Sequence, residues 1–133
     1  MLNRFDPLEG RNADIIESVM ATSEVATLPD DIQFKVRLCV EEVEENILCY
    51  SGSTWVEVDT TINDKGQLVI GFRDGGVAFD PLAKDDPDIT ASLEDRQIGG
   101  LGIFLCKQMM DVVEYKREGD DNVLTMKIAI NLS

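Results

Sequence analysis

Histidine is missing from all 133 residues of the sequence, and its absence removes several kinds of chemistry. Without it the chain has no Ser-His-Asp triad, no Cys-His dyad and no histidine metal ligand. The chain also cannot carry a phosphoryl group on histidine. Any proton transfer at a catalytic centre within these residues therefore falls to another side chain.

Cysteine, long apolar runs and basic residues are also scarce. The three cysteines, Cys39, Cys49 and Cys106, are odd in number and lack CxxC spacing, which predicts free thiols in a reducing cytosol. No stretch approaches the ~18–20 apolar residues of a membrane span, and the first ten residues lack the pattern of a signal peptide. We therefore expect a cytoplasmic protein with no membrane partner.

Acidic residues dominate the charge. The chain has 26 Asp and Glu against 12 Lys and Arg, a net charge of -14. This excess argues against binding to nucleic acid or to an anionic membrane surface. Hydrophobic residues make up 44% and charged residues 29%, an ordinary globular composition. The length predicts one domain over residues 1–133.

Hydrophobic periodicity divides the chain into a helical first half and a β-rich second half. Apolar residues recur at helical spacing over residues 10–27 and from about 30 to 50, which predicts two amphipathic helices. Beyond them, alternating apolar residues predict two hairpins, with strands at 55–62, 67–74, 112–117 and 123–130. A loop over 75–98 and an apolar helix at 103–110 separate the hairpins. This order predicts an α+β fold, a two-layer α/β sandwich with a mixed, mostly antiparallel sheet covered by helices on one face.

The first candidate site is the pair Glu42 and Asn46. Four residues apart on a helix, these side chains project on one face. A carboxylate can accept a proton or orient a nucleophile, and an amide oxygen is a ligand that Mg²⁺ accepts. The alternative is a solvated acidic helix face, which is the commoner reason for a run of acids.

The second candidate is Asp74-Gly75-Gly76, followed by Phe79-Asp80. An aspartate at the end of an apolar strand presents a carboxylate beside glycines that allow close approach of a ligand. Such a carboxylate can accept a hydrogen bond from an amino group, as on adenine. The alternative is a tight turn after a strand.

The third candidate is Gly99-Gly100-Leu101-Gly102, ahead of an apolar helix. Free N–H groups at a helix start suit a phosphate. The segment is not a Walker A loop, because no GK[ST] follows. The alternative is an ordinary glycine-containing loop.

Taken together and in this order, the three patterns resemble the histidine-kinase-like (GHKL) ATPases, whose fold is called the Bergerat fold. The resemblance is strongest to the bacterial anti-sigma factor serine/threonine kinases and covers about residues 10–130. Residues 41–47 look like the N box of that superfamily, residues 72–82 are similar to its first glycine box, and residues 98–105 resemble its second.

The resemblance implies a role for each matched position. Glu42 would be the catalytic carboxylate, and Asn46 would bind the cofactor through Mg²⁺. Asp74 would accept the adenine amino group, with Gly76 letting the base approach. The remaining nucleotide-binding positions would be Phe79, Gly99, Gly100, Leu101, Gly102 and Thr125. Residues 83–98 would form a lid, and the first strand of the fold would be short or missing before Glu9.

The function implied is that of an ATP-binding regulatory kinase with ATP or ADP and Mg²⁺ as cofactors. Its substrate would be a serine or threonine of an anti-sigma-factor antagonist of the STAS type. A sigma factor is a further candidate partner, and the resemblance implies a homodimer. Many relatives have histidine where this chain has Cys49. An alternative is therefore a catalytically weak or inactive nucleotide-binding regulatory module, and a third is an acidic interaction domain that binds no nucleotide.

Overall fold

The computed structural model describes residues 2–82 and 100–130, without the side chains of residues 100 and 101. Its elements, in chain order, are β1 (Leu2–Phe5), α1 (Asn12–Met20), α2 (Ser23–Ala26), α3 (Asp30–Asn46), a π-helical turn (Ile47–Ser51), β2 (Val56–Ile62), β3 (Gln67–Asp74), α4 (Gly100–Met109), β4 (Val112–Glu118) and β5 (Asp121–Ala129). No helix within this described part is long and apolar enough to cross a membrane.

The five strands form one sheet in the order β1-β2-β3-β5-β4. Every described pairing is antiparallel. The predicted α+β class is confirmed, and the two predicted hairpins are β2–β3 and β4–β5. The first strand, expected to be short or missing before Glu9, is present with four residues and pairs with β2 at the edge of the sheet.

Alternate residues of the sheet face the helices and form the core. On β3 the buried positions are Leu68, Ile70, Phe72 and Asp74, and on β5 they are Asn122, Leu124, Met126 and Ile128. Successive side chains of a strand point to opposite faces, so one face of the sheet is buried. On these two strands the face that supplies the core therefore carries two polar residues, one at the end of β3 and one at the start of β5.

The predicted helix over residues 10–27 is two helices. α1 ends at Met20, and the chain is extended at Thr22 before α2 begins. Thr22 is buried, and its hydroxyl donates to the carbonyl of Val19 at 2.8 Å. A threonine that bonds the preceding turn in this way competes with continued helix, which explains why apolar spacing alone overestimated the length.

The predicted helix from 30 to 50 is α3 followed by the π-helical turn. Two acids, Asp30 and Asp31, lie in the first turn of α3, where their negative charge interacts favourably with the positive end of the helix dipole. The turn ends at Gly52, which has a left-handed φ of 68° and donates its N–H to the carbonyl of Ile47 at 2.9 Å. Glycine adopts this conformation without the steric penalty that other residues meet.

Candidate functional site

A small cavity lies where the C-terminal end of α3 meets the ends of β3 and β5. Its volume is about 20 Å³, room for about one water molecule. Three residues predicted from the sequence, Asn46, Asp74 and Phe79, lie on its walls together with Tyr115 and Asn122. The fold therefore brings together residues of the predicted N box and of the predicted first glycine box, which are separated in sequence.

Asp74 is buried at the end of β3, with only 4% of its surface exposed. Its Oδ1 accepts hydrogen bonds from the N–H of Gly76 and from the amide nitrogen of Asn122, both at 3.0 Å. None of the hydrogen bonds among the described residues reaches Oδ2. The carboxylate is thus fixed by one oxygen and retains the other for a ligand donor.

Asn122 is the site residue that the sequence reasoning missed, and Thr125 is the one that it misplaced. Asn122 pairs with Asp74 across β3 and β5 and is buried beside it. Thr125, predicted near adenine, pairs with Gly71 and lies on the opposite face of β5. Because side chains alternate along a strand, residues 122 and 125 cannot share a face. The register of the β3–β5 pair, in which Asn122 lies opposite Asp74, is the signal that identifies this asparagine.

Gly76, predicted to let the base approach, is required here for a close contact within the protein itself. A Cβ at this position would overlap the backbone carbonyl of Ser51 in the π-helical turn. The next residue, Val77, donates its N–H to that same carbonyl at 2.9 Å. The glycine thus allows the loop after β3 to pack directly on the π-helical turn.

An aromatic pair joins the same two segments. Tyr50, in the π-helical turn, stacks on Phe79 with ring centroids 4.9 Å apart and planes 18° from parallel. Parallel-displaced stacking of this kind is favourable for aromatic rings. The loop that carries Phe79 is therefore held against the turn by backbone and side-chain contacts together.

Glu42 and Asn46 lie one turn apart on α3, as the spacing predicted. Asn46 is buried, whereas Glu42 is half-buried. Burial raises the pKa of Glu42 above its ordinary value, and the nearby charges of Glu45 and Glu41 raise it further. The carboxylate lies against Gly102 of α4, where any Cβ would overlap it. The glycine predicted for phosphate binding thus also makes room for the predicted catalytic carboxylate.

The second buried acid on α3 is Glu44, which the sequence reasoning did not single out. Only 2% of its surface is exposed, and neither carboxylate oxygen has a hydrogen-bond partner among the described residues. Burial, followed by the charges of Glu41 and Glu45, raises its pKa to about 7. A buried carboxyl without partners is costly when charged, so this group favours the neutral form.

Helix α4 begins at Gly100 and continues through Leu101 and Gly102. The first N–H groups of a helix have no partner within it, so the predicted phosphate site falls at a helix start. Gly99, also predicted to bind phosphate, and the predicted lid over 83–98 lie outside the described residues.

The residues present fit Mg²⁺ and a nucleotide only in part. Asn46 and Glu42 offer the oxygen ligands that Mg²⁺ accepts. The described residues contain no cluster of three or more His, Cys, Asp or Glu able to hold a metal, so phosphate and water would supply the other ligands. The cavity, at about 20 Å³, is far below the ~300–1,000 Å³ typical of ligand pockets, so it accounts for only part of a nucleotide site.

Comparison with known proteins gives concordant results. Residues 8–128 match the sequence model described as "Histidine kinase-like ATPase domain". The chain is also 28% identical over 98 residues to the serine/threonine-protein kinase BtrW of Bordetella bronchiseptica, a match that covers 71% of this chain and 69% of BtrW.

Solved structures show the same fold. The histidine kinase domain of the Erythrobacter litoralis EL346 blue-light activated histidine kinase superposes with a TM-score of 0.60 at 18% identity, covering 93% of this chain and 61% of the other. The Acinetobacter baumannii histidine kinase AdeS gives a TM-score of 0.54 at 14% identity, over 98% and 68%. The chain thus spans less than two thirds of the first of these relatives.

Proposed function

Because the chain belongs to the histidine kinase-like ATPase domain family, we propose that it binds ATP with Mg²⁺ and transfers a phosphoryl group to a serine or threonine. The observation that carries this proposal is the order of groups around the cavity. The fixed carboxylate of Asp74 and the amide of Asn46 both line the cavity. Glu42 lies one turn before Asn46 on α3.

Each of these groups has a task suited to its surroundings. Oδ2 of Asp74 accepts a hydrogen bond from the amino group of adenine. Asn46 would hold Mg²⁺, which would supply charge neutralisation for the phosphates. Glu42 orients the attacking hydroxyl and accepts its proton. Its raised pKa makes it a stronger base near neutral pH than an exposed glutamate.

The phosphoryl acceptor is a hydroxyl on another protein. The 133 residues contain no histidine to receive the group, whereas the relative BtrW is by name a serine/threonine-protein kinase. We extend the proposal to an anti-sigma-factor antagonist of the STAS type as the substrate. A sigma factor is a second partner, and the active form is a homodimer.

Thermal unfolding tests nucleotide binding. ATP with Mg²⁺ should raise the midpoint of unfolding, because a ligand that binds the native state stabilises it. The substitution Asp74→Asn should weaken ATP binding about tenfold to a hundredfold, since it replaces a charged acceptor. Unchanged affinity in this variant would refute the assignment of adenine to Asp74.

Phosphoryl transfer needs a separate test, with a radiolabelled γ-phosphate and a purified antagonist protein. Glu42→Gln keeps the shape of the side chain and removes the base, so ATP should still bind while transfer falls at least about a hundredfold. Equal transfer by the variant and the parent would exclude the proposed role of Glu42.

The second candidate function is a nucleotide-binding module that transfers nothing. Cys49 favours it, because this exposed cysteine stands where the family resemblance implies a histidine. ATP binding without any transfer to an antagonist would support this alternative over the kinase.

A further inference from the structure

Two hydrogen bonds use both amide hydrogens of Asn122. The amide nitrogen donates to Oδ1 of Asp74 at 3.0 Å and to the carbonyl of Val77 at 2.8 Å. Oδ1 of Asp74 also accepts the N–H of Gly76. This oxygen is therefore held by two donors, and Asn122 has no amide hydrogen left for a ligand.

Three donors converge on the amide oxygen of Asn122. They are the N–H of Phe79 at 3.2 Å, the hydroxyl of Tyr115, and the guanidinium of Arg117 at 3.2 Å. The same arginine donates to the carbonyl of Gly76 at 2.9 Å. A rotated amide would set its nitrogen against a backbone N–H and a guanidinium, so these partners fix the orientation of the side chain.

We propose that Asn122 is a positioning residue that makes the base site selective for a purine with an amino group. The inference rests on the proposed function and acts through Asp74. Because Asn122 and the N–H of Gly76 hold Oδ1, Oδ2 is the oxygen of this cavity-lining carboxylate that the described hydrogen bonds leave for a ligand. An ionised carboxylate is only an acceptor, so it binds the amino group at C6 of adenine and repels the carbonyl that hypoxanthine has there.

The loop after β3 is part of the same arrangement. Asn122 bonds the backbone on both sides of residue 78, at Val77 and Phe79. Without these bonds, Asp74 keeps only the N–H of Gly76 among the donors described to its Oδ1. The carboxylate could then turn and offer either oxygen in more than one direction, and selectivity for the amino group would be lost.

The test compares ATP with inosine triphosphate by titration calorimetry. The parent protein should bind ATP at least about tenfold more tightly than inosine triphosphate, because the wrong base leaves a buried polar group unpaired. In Asn122→Ser, ATP binding should weaken at least about tenfold and the preference should fall to near one. A variant that binds ATP and keeps the parental preference would overturn the inference.

A double-mutant cycle separates positioning from general damage. If Asn122 acts through Asp74, then Asn122→Ser should have little further effect on ATP affinity in the Asp74→Asn background, since coupled residues are non-additive. Fully additive losses would mean that the two residues act independently, and would also overturn the inference.

The matched control is Asn63→Ser at the other end of β3. Asn63 accepts the backbone N–H groups of Lys65 and Gln67, each at 3.0 Å, in the β2–β3 turn. Its substitution should lower stability and leave the preference between the two nucleotides unchanged. A control that lost the preference as Asn122→Ser does would show that loss of stability alone explains the effect.

Tyr115→Phe provides a second variant in case Asn122→Ser does not fold. It removes one donor from the oxygen of Asn122, and the preference for ATP should fall severalfold; a parental preference would then count against the inference. The parent protein distinguishes the two proposals. If it binds neither nucleotide, the proposed function fails, whereas parental binding with unaffected variants refutes only the role of Asn122.

Discussion

At the scale of single residues, Gly102 is required for the position of Glu42. The Glu42 carboxylate occupies the space where a side chain at residue 102 would begin. The far end of a glutamate is flexible, so a new methyl group there would displace the carboxylate while the backbone stays in place. A substitution at one residue should therefore change the environment of another, 60 residues away in sequence.

We predict that Gly102→Ala moves Glu42 outward and lowers the pKa of its carboxyl towards that of an ordinary glutamate. Removal of the side chain from its half-buried position reverses the main cause of the raised pKa. Carbon-13 NMR of labelled glutamate side chains measures this pKa directly. Alanine favours helix over glycine by about 1 kcal/mol, so the fold should persist.

Gly71→Ala is the control for that substitution. Gly71 lies in β3, where nothing is within 4 Å of an added Cβ, and its replacement should leave the pKa of Glu42 unchanged. If Gly102→Ala also leaves this pKa unchanged, Glu42 does not depend on the space that the glycine provides.

Glu44 leads to a prediction about pH. Its pKa is about 7 in the folded chain against an ordinary value of 4.5, so between these values the folded state holds a proton that the unfolded state has lost. This contribution to stability is complete below about pH 4.5 and is lost as the pH rises through about 7, a change of about 3 kcal/mol. Glu44→Gln cannot titrate, so the variant should gain stability relative to the parent as the pH rises.

Urea unfolding between pH 5 and 8, with metal chelated, checks this expectation. Glu17→Gln is the control, because it makes the same chemical change at an exposed position of α1. Parallel pH profiles for the parent and Glu44→Gln would show that Glu44 is ionised in the folded chain.

At the scale of elements, the π-helical turn connects the C-terminal end of α3 to the segment that leads into β2. It ends at Gly52, whose φ of 68° is left-handed. The turn also presents Tyr50 to Phe79 and the Ser51 carbonyl to Val77. A single turn thus positions both contacts that hold the loop after β3.

We predict that Gly52→Ala destabilises the protein by about 1 kcal/mol, because a Cβ is unfavourable at positive φ. No atom lies within 4 Å of the added Cβ, so the loss would come from backbone conformation alone. Denaturant midpoints measure it. Gly71→Ala, at an ordinary φ, should lose much less, and equal losses at the two positions would contradict the explanation.

Local patterns predicted most elements but not their limits. Alternation over 67–74 gave β3 with its bounds, since one buried face imposes a period of two. The break at Thr22 was missed, because apolar spacing does not register a side chain that bonds the preceding turn. The π-helical turn was missed for a similar reason, since Ile47 continues the apolar stripe of α3 into it.

At the scale of the whole molecule, the net charge of -14 destabilises the folded state through repulsion between like charges. Twelve basic residues can pair with fewer than half of the 26 acidic ones. The remaining acids repel one another when the chain folds, and salt screens this repulsion. Charge of one sign in excess therefore opposes folding most strongly at low ionic strength.

We predict that the midpoint of thermal unfolding rises by about 2–5 °C as ionic strength increases from roughly 0.01 M to 0.15 M. The Debye length falls over this range from about 30 Å to about 8 Å, which weakens repulsion between distant acids. Sodium chloride and tetramethylammonium chloride should act alike, because the effect is screening. A midpoint that stays constant or falls would mean that attraction between the charges outweighs repulsion.

The candidate site was predictable only where its residues follow one another closely. The spacing of Glu42 and Asn46 on one helix indicated a shared face, and both lie on α3 as expected. The pairing of Asp74 with Asn122 depends on the register of two strands 48 residues apart, which no local pattern encodes. Thr125 was assigned from the family resemblance alone, whereas the buried alternation of Leu124, Met126 and Ile128 puts it on the other face of β5.

The position of β3 between β2 and β5 has a consequence for synthesis of the chain. On the ribosome, Asn46 and Asp74 emerge before residue 122, so the nascent chain displays an unfinished pocket until β5 arrives. During this interval the open edge of β3 can pair with any strand nearby, and association with a neighbouring nascent chain competes with closure of the sheet. The proposed nucleotide site needs residues of β3 and β5 together, so ATP would stabilise the chain only after β5 has docked.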